Sequence, residues 1–69
     1  MVEGRVARVT EIIAASPENF QDAIKIAIQR ANKTLRNVTG IKVLEMTVKC
    51  EAGEILEYRV RCEVIFVLE

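Results

Sequence analysis

Residues 56–68 read LEYRVRCEVIFVL, and this stretch decides the fold. Its even-numbered positions are apolar without a break, whereas the odd-numbered positions in its first half carry charges. The apolar positions are Leu56, Tyr58, Val60, Cys62, Val64, Phe66 and Leu68, and the charged ones are Glu57, Arg59, Arg61 and Glu63. Because successive side chains point to opposite faces of a strand, the pattern predicts one long β-strand with an apolar and a polar face.

The residues that precede this strand predict its hairpin partner. A second run with a period of two covers residues 41–51, and residues 52–54 (AGE) supply the turn between the two strands. We expect a three-residue loop that is closed by Glu51 and Ile55. In such a loop Gly53 can adopt the positive φ that the turn requires.

Parity determines which residues of the two strands face each other. Opposed residues share a face of the sheet, so even positions are expected to pair with even positions and odd with odd. The expected pairs are Lys49 with Glu57, Leu44 with Cys62, and Cys50 with Leu56. Since the two cysteines have different partners, no disulfide is expected within the chain.

A single amphipathic helix is predicted before the hairpin. Ser16 is suited to cap its N-terminus, and Pro17 is suited to its first position. Apolar residues then recur at steps of three and four over about five turns; they are Phe20, Ala23, Ile24, Ala27, Ile28, Ala31 and Leu35. Residues 37–40 (NVTG) are expected to end the helix.

Residues 3–13 (EGRVARVTEII) are rich in β-branched side chains and predict a first strand. The element order is then β-α-β-β in one domain over residues 1–69. This order predicts an α+β fold, in which a three-stranded antiparallel sheet partly wraps around one helix. The last strand would be about 50 Å long and the helix about 30 Å, so part of the apolar row extends beyond the helix. We expect that uncovered surface to be a subunit contact.

The size of the chain also favours self-association. A chain of 69 residues and 7.8 kDa buries only about 60% of its surface when it folds alone, which leaves little net stability. Its two cysteines and its lack of histidine provide neither a disulfide framework nor a zinc site. Contacts with further copies of the chain are therefore the expected source of stability.

Composition argues against several classes of function. A net charge of zero argues against nucleic-acid and anionic-membrane partners. No apolar run is long enough to span a membrane and no signal-peptide core follows Met1, so we predict a cytoplasmic protein. Without histidine the usual general base is absent, and no Gly-rich phosphate loop is present. We therefore do not expect an enzyme.

The two cysteines are predicted to differ in their surroundings. Cys62 lies within the long apolar row and is interpreted as a small core residue. Cys50 lies near the end of its strand beside the turn, where it would be accessible. It is either another apolar-face residue or a site for redox chemistry or a soft ligand.

The polar face of the predicted hairpin has two interpretations. Its charges are ordinary solvated cross-strand pairs, or they line a cavity when symmetry repeats them around an oligomer. In the second case Arg59 and Arg61 would bind an anionic ligand. Carboxylates of Glu45 or Glu63 from several subunits could equally hold Ca²⁺ or Mg²⁺.

The chain as a whole resembles the dodecins, small β-α-β-β proteins that assemble as hollow twelve-subunit shells. The resemblance rests on segments that are spread over nearly the whole chain: residues 10–13 (TEII) with Ser16 and Pro17, residues 30–37 (RANKTLRN), residues 57–60 (EYRV) and residues 63–66 (EVIF). It implies a non-enzymatic homo-oligomer, most simply a dodecamer, that binds and stores a small molecule.

Typical dodecins hold riboflavin or a related flavin between symmetry-related subunits. The flavin ring stacks on a Trp at the start of the second strand and is hydrogen-bonded by a Gln in the third; these positions correspond here to Gly40 and Arg59. Gly40 offers no π face, and Arg59 cannot supply an amide's paired donor and acceptor, although Arg can stack on the ring or bind a phosphate. The resemblance therefore predicts a flavin site at Gly40, Arg59 and Glu45.

Looser resemblances imply other ligands. Some dodecins without the Trp are linked to calcium, which Glu45 or Glu63 would hold here. Methanogen selenium-binding proteins are similar in size and element order and are proposed to use a single cysteine, for which Cys50 is the candidate. A purely structural shell with an empty interior is the third alternative.

Overall fold

The structure is a computed structural model, which describes residues 4–68. Its elements are β1 (Ala7–Ser16), α1 (Phe20–Thr34), β2 (Val38–Glu51) and β3 (Glu54–Val67). The strands form one antiparallel sheet in the order β1-β3-β2, so the strand with the longest apolar row is central. The predicted α+β architecture is confirmed. The first strand begins and ends later than predicted, and residue 3 lies outside the described residues.

The start of α1 differs from the prediction. Asn19 is the N-cap, and its side chain accepts a hydrogen bond from the backbone N–H of Asp22 at 2.6 Å. Ser16 ends β1 instead, where its buried hydroxyl donates to the Asp22 carboxylate at 2.6 Å and accepts from the Glu18 N–H at 3.0 Å. The placement of Ser16 as the cap and of Pro17 in the first turn was therefore wrong.

Aromatic packing accompanies this later start. Phe20 is the first helical residue, and its ring lies edge-on to Tyr58 of β3 with 5.1 Å between the ring centroids. The 15 residues of α1 form a helix about 22 Å long. This is about four turns, one fewer than predicted.

The connection from α1 to β2 is also shorter than predicted. Leu35 caps the helix, and Asn37 adopts φ 59°, a left-handed conformation that Asn tolerates better than most residues. Because the chain reverses at Asn37, β2 begins at Val38. Gly40, which was expected in the helix stop, therefore lies within the strand, where it pairs with Ile65.

The turn between β2 and β3 has two residues. Ala52 and Gly53 have φ values of 53° and 80°, and Glu51 pairs with Glu54. Two consecutive positive φ values match the twist of the flanking strands, as in type I′ hairpins. The predicted three-residue loop, closed by Glu51 and Ile55, was wrong.

The hairpin register agrees with the prediction in its middle and departs from it at both ends. Lys49 pairs with Glu57 as expected. One register shift lies beside the turn, and another between Val43 and Glu45 leaves Leu44 without a partner. The two cysteines consequently have other partners than predicted: Cys50 pairs with Ile55, and Cys62 with Val43. The rule that even positions pair with even positions predicted neither pair. An extra residue in one strand shifts the pairing, so that even positions lie opposite odd ones.

Small side chains form the core between α1 and the sheet. The helix buries a row of alanines, Ala23, Ala27 and Ala31, against Val60, Cys62 and Val64 of β3 and Ala14 of β1. Short side chains at these positions allow the helix to approach the sheet closely. The helix packs mainly on β1 and β3 and only lightly on β2.

A single copy leaves much of the sheet uncovered, as the sequence predicts. The molecule measures 57 × 20 × 16 Å, and its radius of gyration of 14.5 Å exceeds the roughly 11 Å of a compact domain of this length. Its accessible surface of 5434 Å² likewise exceeds the roughly 4,400 Å² expected for its mass. Beyond the helix, the end of the hairpin exposes an apolar surface that we call the hairpin overhang: Met46, Val48, Ile55 and Leu56.

Candidate functional site

The face of the sheet opposite α1, here called the helix-free face, carries a row of charges across all three strands. Arg61 of the central strand donates to Glu11 of β1 at 2.7 Å and to Glu45 of β2 at 3.0 Å. These hydrogen bonds raise the pKa of Arg61, and the bond with Glu11 contributes more than the bond with Glu45. All three side chains are partly exposed to solvent, so their ion pairs add little to the stability of the fold. The main effect of the ion pairs is to fix the positions of the three side chains.

Arg59 lies on the same face, two residues before Arg61. Its Nε donates to the carboxylate of Glu57, two positions earlier on β3. Side chains at this spacing share one face of a strand, which explains why they meet. About two-fifths of the Arg59 side chain is still exposed, so its guanidinium is held in place yet open to a ligand.

Gly40 also belongs to the helix-free face. A Cβ at this position would point toward Ile65, whose Cδ1 would lie 3.7 Å away, an ordinary van der Waals distance. The register places Gly40 six residues along β3 from Arg59, about 20 Å away. Glu45, paired with Arg61, lies between them. The structure thus puts the three predicted ligand residues on one face but does not bring them together within a chain.

Parity alone would have put Gly40 on the other face from Arg59. The register shift between Val43 and Glu45 reverses the facing of the residues before it, so Gly40 joins the polar face while Ile41 packs against the core. The sequence contains no clear signal for this bulge, because Leu44 looks like one more member of the alternating row.

The sequence also did not reveal an apolar groove between α1 and β2. The groove has a volume of about 470 Å³, and its wall includes Ile24 and Ile28 of the helix together with Ile41 and Val43 of the strand. Gly40 lines it through its backbone, whereas Arg59 and Glu45 do not. Its polar side chains are too few to orient a ligand in one chain.

The two cysteines lie in the contrasting surroundings that the sequence predicts. Cys62 is fully buried, and this burial raises the pKa of its thiol. Cys50 is exposed near the hairpin turn. Within residues 4–68 no group of three His, Cys, Asp or Glu side chains is close enough to hold a metal ion.

The helix is too short and too polar to cross a bilayer, and it is the only helix among the described residues. The molecule is a small β-α-β-β chain: one helix on a long antiparallel sheet, with an uncovered apolar overhang and with its charged face away from the helix. The sequence matches the Dodecin family model over residues 6–69. The chain therefore belongs to the dodecin family.

Individual relatives agree with this assignment. The dodecin of Thermus thermophilus is 36% identical over 66 residues, which cover 96% of either chain. The calcium dodecin of Mycobacterium tuberculosis is 30% identical over 61 residues, 88% of this chain and 86% of that one. Among solved structures, the dodecin from Streptomyces davaonensis superposes with a TM-score of 0.91 at 34% identity, covering 97% of this chain and 98% of that chain.

Proposed function

We propose that the protein is a non-enzymatic homo-oligomer, a dodecamer, that stores or buffers a flavin such as riboflavin or FMN. The ligand lies between copies of the chain, at pockets bordered by Gly40, Arg59 and Glu45. Membership of the dodecin family supports the oligomer and the ligand class. A cytoplasmic location is part of the same prediction.

The observation that carries this proposal is the separation of the site residues. Gly40 and Arg59 share the helix-free face but lie about 20 Å apart along it, farther than a flavin ring could bridge with both residues in contact. A pocket that contains both side-chain positions therefore needs residues from at least two copies. The uncovered overhang and the excess surface of a single copy provide contacts for such an assembly.

Fluorescence quenching tests the ligand class directly. Flavin fluorescence decreases when the ring is held against protein groups, so riboflavin and FMN are each titrated with the intact oligomer. We expect saturable quenching at micromolar protein. Unchanged fluorescence of both flavins at that concentration would contradict the proposal.

A gain-of-function variant tests the location of the pocket. Gly40→Trp restores an aromatic face, and a Cβ at this position would meet Ile65 at an ordinary van der Waals distance. Stacking is worth about 0.5–1.5 kcal/mol beyond buried area, so riboflavin should bind about 2- to 13-fold more tightly. Gly4→Trp is the matched control, because a Cβ there meets no atom of residues 4–68 within 4 Å apart from its chain neighbours and lies outside the sheet. An equal gain in both variants would exclude a pocket at Gly40.

Calcium is the second candidate ligand, because one relative of this chain is a calcium dodecin. Glu45 or Glu63 would supply carboxylate oxygens, with several copies contributing to each ion. Glu45 is bound to Arg61 in the single chain, so calcium would have to displace this partner. Calorimetric titration with Ca²⁺ distinguishes the candidates: heat that Glu45→Gln abolishes, without flavin quenching, would favour calcium.

Selenium at Cys50 and an empty structural shell are the remaining alternatives. The exposure of Cys50 leaves its thiol accessible in a single copy. Elemental analysis of the purified protein decides between them. Selenium that a Cys50→Ser variant no longer carries would support the first, whereas a protein that retains neither selenium, calcium nor flavin would support the second.

A further inference from the structure

The neutral composition of the chain conceals a marked separation of charge. Between Asp22 and Glu45 the sequence contains no acidic residue, yet it contains five cations: Lys25, Arg30, Lys33, Arg36 and Lys42. All five are exposed. The cations that form ion pairs among residues 4–68 are Arg59 and Arg61, which lie on the other side of the molecule. Four of the five cations belong to α1 or follow it directly, which gives the protein a basic side.

The exposed side of α1 arranges these cations in a regular way. Gln21, Lys25, Gln29 and Lys33 follow each other at four-residue steps, so they form one row along the helix with about 6 Å between neighbours. All four side chains are exposed, because the alanine row on the opposite side of α1 faces the sheet. We call these four residues the amide–lysine row. The acidic residues nearest to it in sequence are Glu18 and Asp22, and Asp22 lines a groove with Gln21 and Lys25 at the N-terminal end of the helix.

We expect this row to stay outward when copies of the chain associate. Most large apolar side chains that a single copy exposes lie on the strands or directly beside them, and only Ile26 and Ile28 belong to the helix. Association that buries apolar surface therefore covers mainly the sheet. Ile28 borders the row, since it lines a groove with Gln21, Lys25 and Gln29, but the row itself contains no apolar residue that such a contact would bury. We therefore expect each copy to add one basic row to the outer surface.

We propose that the amide–lysine rows bind the phosphate backbone of double-stranded nucleic acid without regard to sequence. Lysine ammonium and glutamine amide groups are both donors that phosphate oxygens accept. The row has no aromatic side chain on which an unpaired base could stack, which disfavours single strands. Among the residues that the structure describes, Ile26 and Ile28 are the only large apolar side chains that α1 exposes, which disfavours insertion into an anionic membrane. Several rows on one oligomer engage a duplex together and strengthen the binding.

This proposal departs from the prediction that nucleic acid is not a partner. That prediction rested on the total charge, which is zero, whereas a duplex responds to the local charge that it meets. The acidic residues that balance the cations lie elsewhere: the hairpin beyond residue 44 contains Glu45, Glu51, Glu54, Glu57 and Glu63.

Fluorescence anisotropy of a labelled 30-base-pair duplex, titrated with the intact oligomer at several KCl concentrations, tests the proposal. We expect binding that is equal for two unrelated sequences and that weakens steeply with salt. The Lys25→Gln/Lys33→Gln variant should bind at least tenfold more weakly at low salt. The slope of log affinity against log salt should fall by about 2 for each subunit in contact. Light scattering checks that the variant keeps its molar mass.

The matched control is Arg5→Gln/Lys49→Gln, which removes the same charge from positions outside α1. We expect it to bind the duplex as the unchanged protein does. Gln29→Glu, a single exposed change in the middle of the row, should weaken binding even if the double-lysine variant assembles poorly. Absence of duplex binding, equal weakening by the control, or stronger binding to anionic vesicles than to the duplex would each overturn the proposal.

Discussion

Ser16 joins the end of β1 to the first turn of α1 through one buried hydroxyl. The hydroxyl donates a hydrogen bond to the Asp22 carboxylate and accepts one from the Glu18 N–H. Ser16→Ala should lower the free energy of unfolding by about 1–3 kcal/mol, because both groups lose a buried partner. Urea denaturation measures the change.

Thr39→Ala is the control for this change. Its hydroxyl is exposed and donates to the Ile65 carbonyl at a long 3.4 Å, so its loss should cost about 0.5 kcal/mol or less. Equal losses of stability in the two variants would show that burial of the Ser16 hydroxyl has no special effect.

Cys62 gives the protein a dependence on alkaline pH. Burial raises the pKa of its thiol in the folded state above that in the unfolded chain, near 8.5 for a free cysteine. Above that pH the unfolded state loses the proton first, so stability that is complete below the unfolded pKa declines as the pH rises through the folded pKa. Urea denaturation between pH 7 and pH 10.5 should show a decline that Cys62→Ala reduces and Cys50→Ser retains.

An equal decline in the Cys62→Ala variant would assign the alkaline sensitivity to other groups.

The two cysteines also show which properties of single residues can be predicted from the sequence. The burial of Cys62 follows from its place in an unbroken apolar row, and the exposure of Cys50 follows from its place beside the turn. The face of Gly40 could not be derived in this way, because it depends on the bulge at Leu44.

The hairpin turn is a strained element that the chain could improve. Ala52 has φ 53°, a conformation that favours Asn, while Gly53 with φ 80° already suits its place. Ala52→Asn should stabilise the protein by about 0.5–1 kcal/mol, and Gly53→Ala should destabilise it by about 1 kcal/mol. Thermal unfolding measures both changes.

Gly4→Ala provides the control for the turn, since Gly4 has no left-handed φ and a new Cβ would meet no atom of residues 4–68 within 4 Å apart from its chain neighbours. We expect a change within about 0.5 kcal/mol. A stabilising Gly53→Ala change would contradict the type I′ geometry of the turn.

The identities of the elements follow from the sequence more readily than their ends do. Alternation over β3 and the steps of three and four in α1 are long patterns, and the structure confirms both. The helix start was ambiguous, because Ser16-Pro17 and Asn19 both satisfy the chemistry of an N-terminus. The contact between Phe20 and Tyr58, which are distant in sequence, accompanies the choice of Asn19.

We expect the uncovered hairpin overhang to make the stability of the whole molecule depend on association between copies. We expect Val48→Lys/Leu56→Lys to reduce the molar mass in solution to that of one chain or to unfold the protein, because burying two charges in a contact costs several kcal/mol. Size-exclusion chromatography with light scattering measures the mass. Gln29→Lys, which adds a charge to the outward side of α1, should leave the mass unchanged.

An unchanged mass for the overhang variant would place the subunit contacts elsewhere. Size and composition predict that the chain associates, since 69 residues without a disulfide or a histidine have few other means of stabilisation. The position of each residue relative to other copies could not be predicted, because it depends on symmetry, and the sequence of one chain does not specify symmetry.

Native mass spectrometry of the purified protein, with riboflavin added, tests most directly whether the ligand pocket is built between copies. We predict a discrete assembly of twelve chains that carries riboflavin, with no riboflavin on any free chain. A folded monomer of 7.8 kDa as the main species, or riboflavin bound to that monomer, would contradict a pocket shared between subunits.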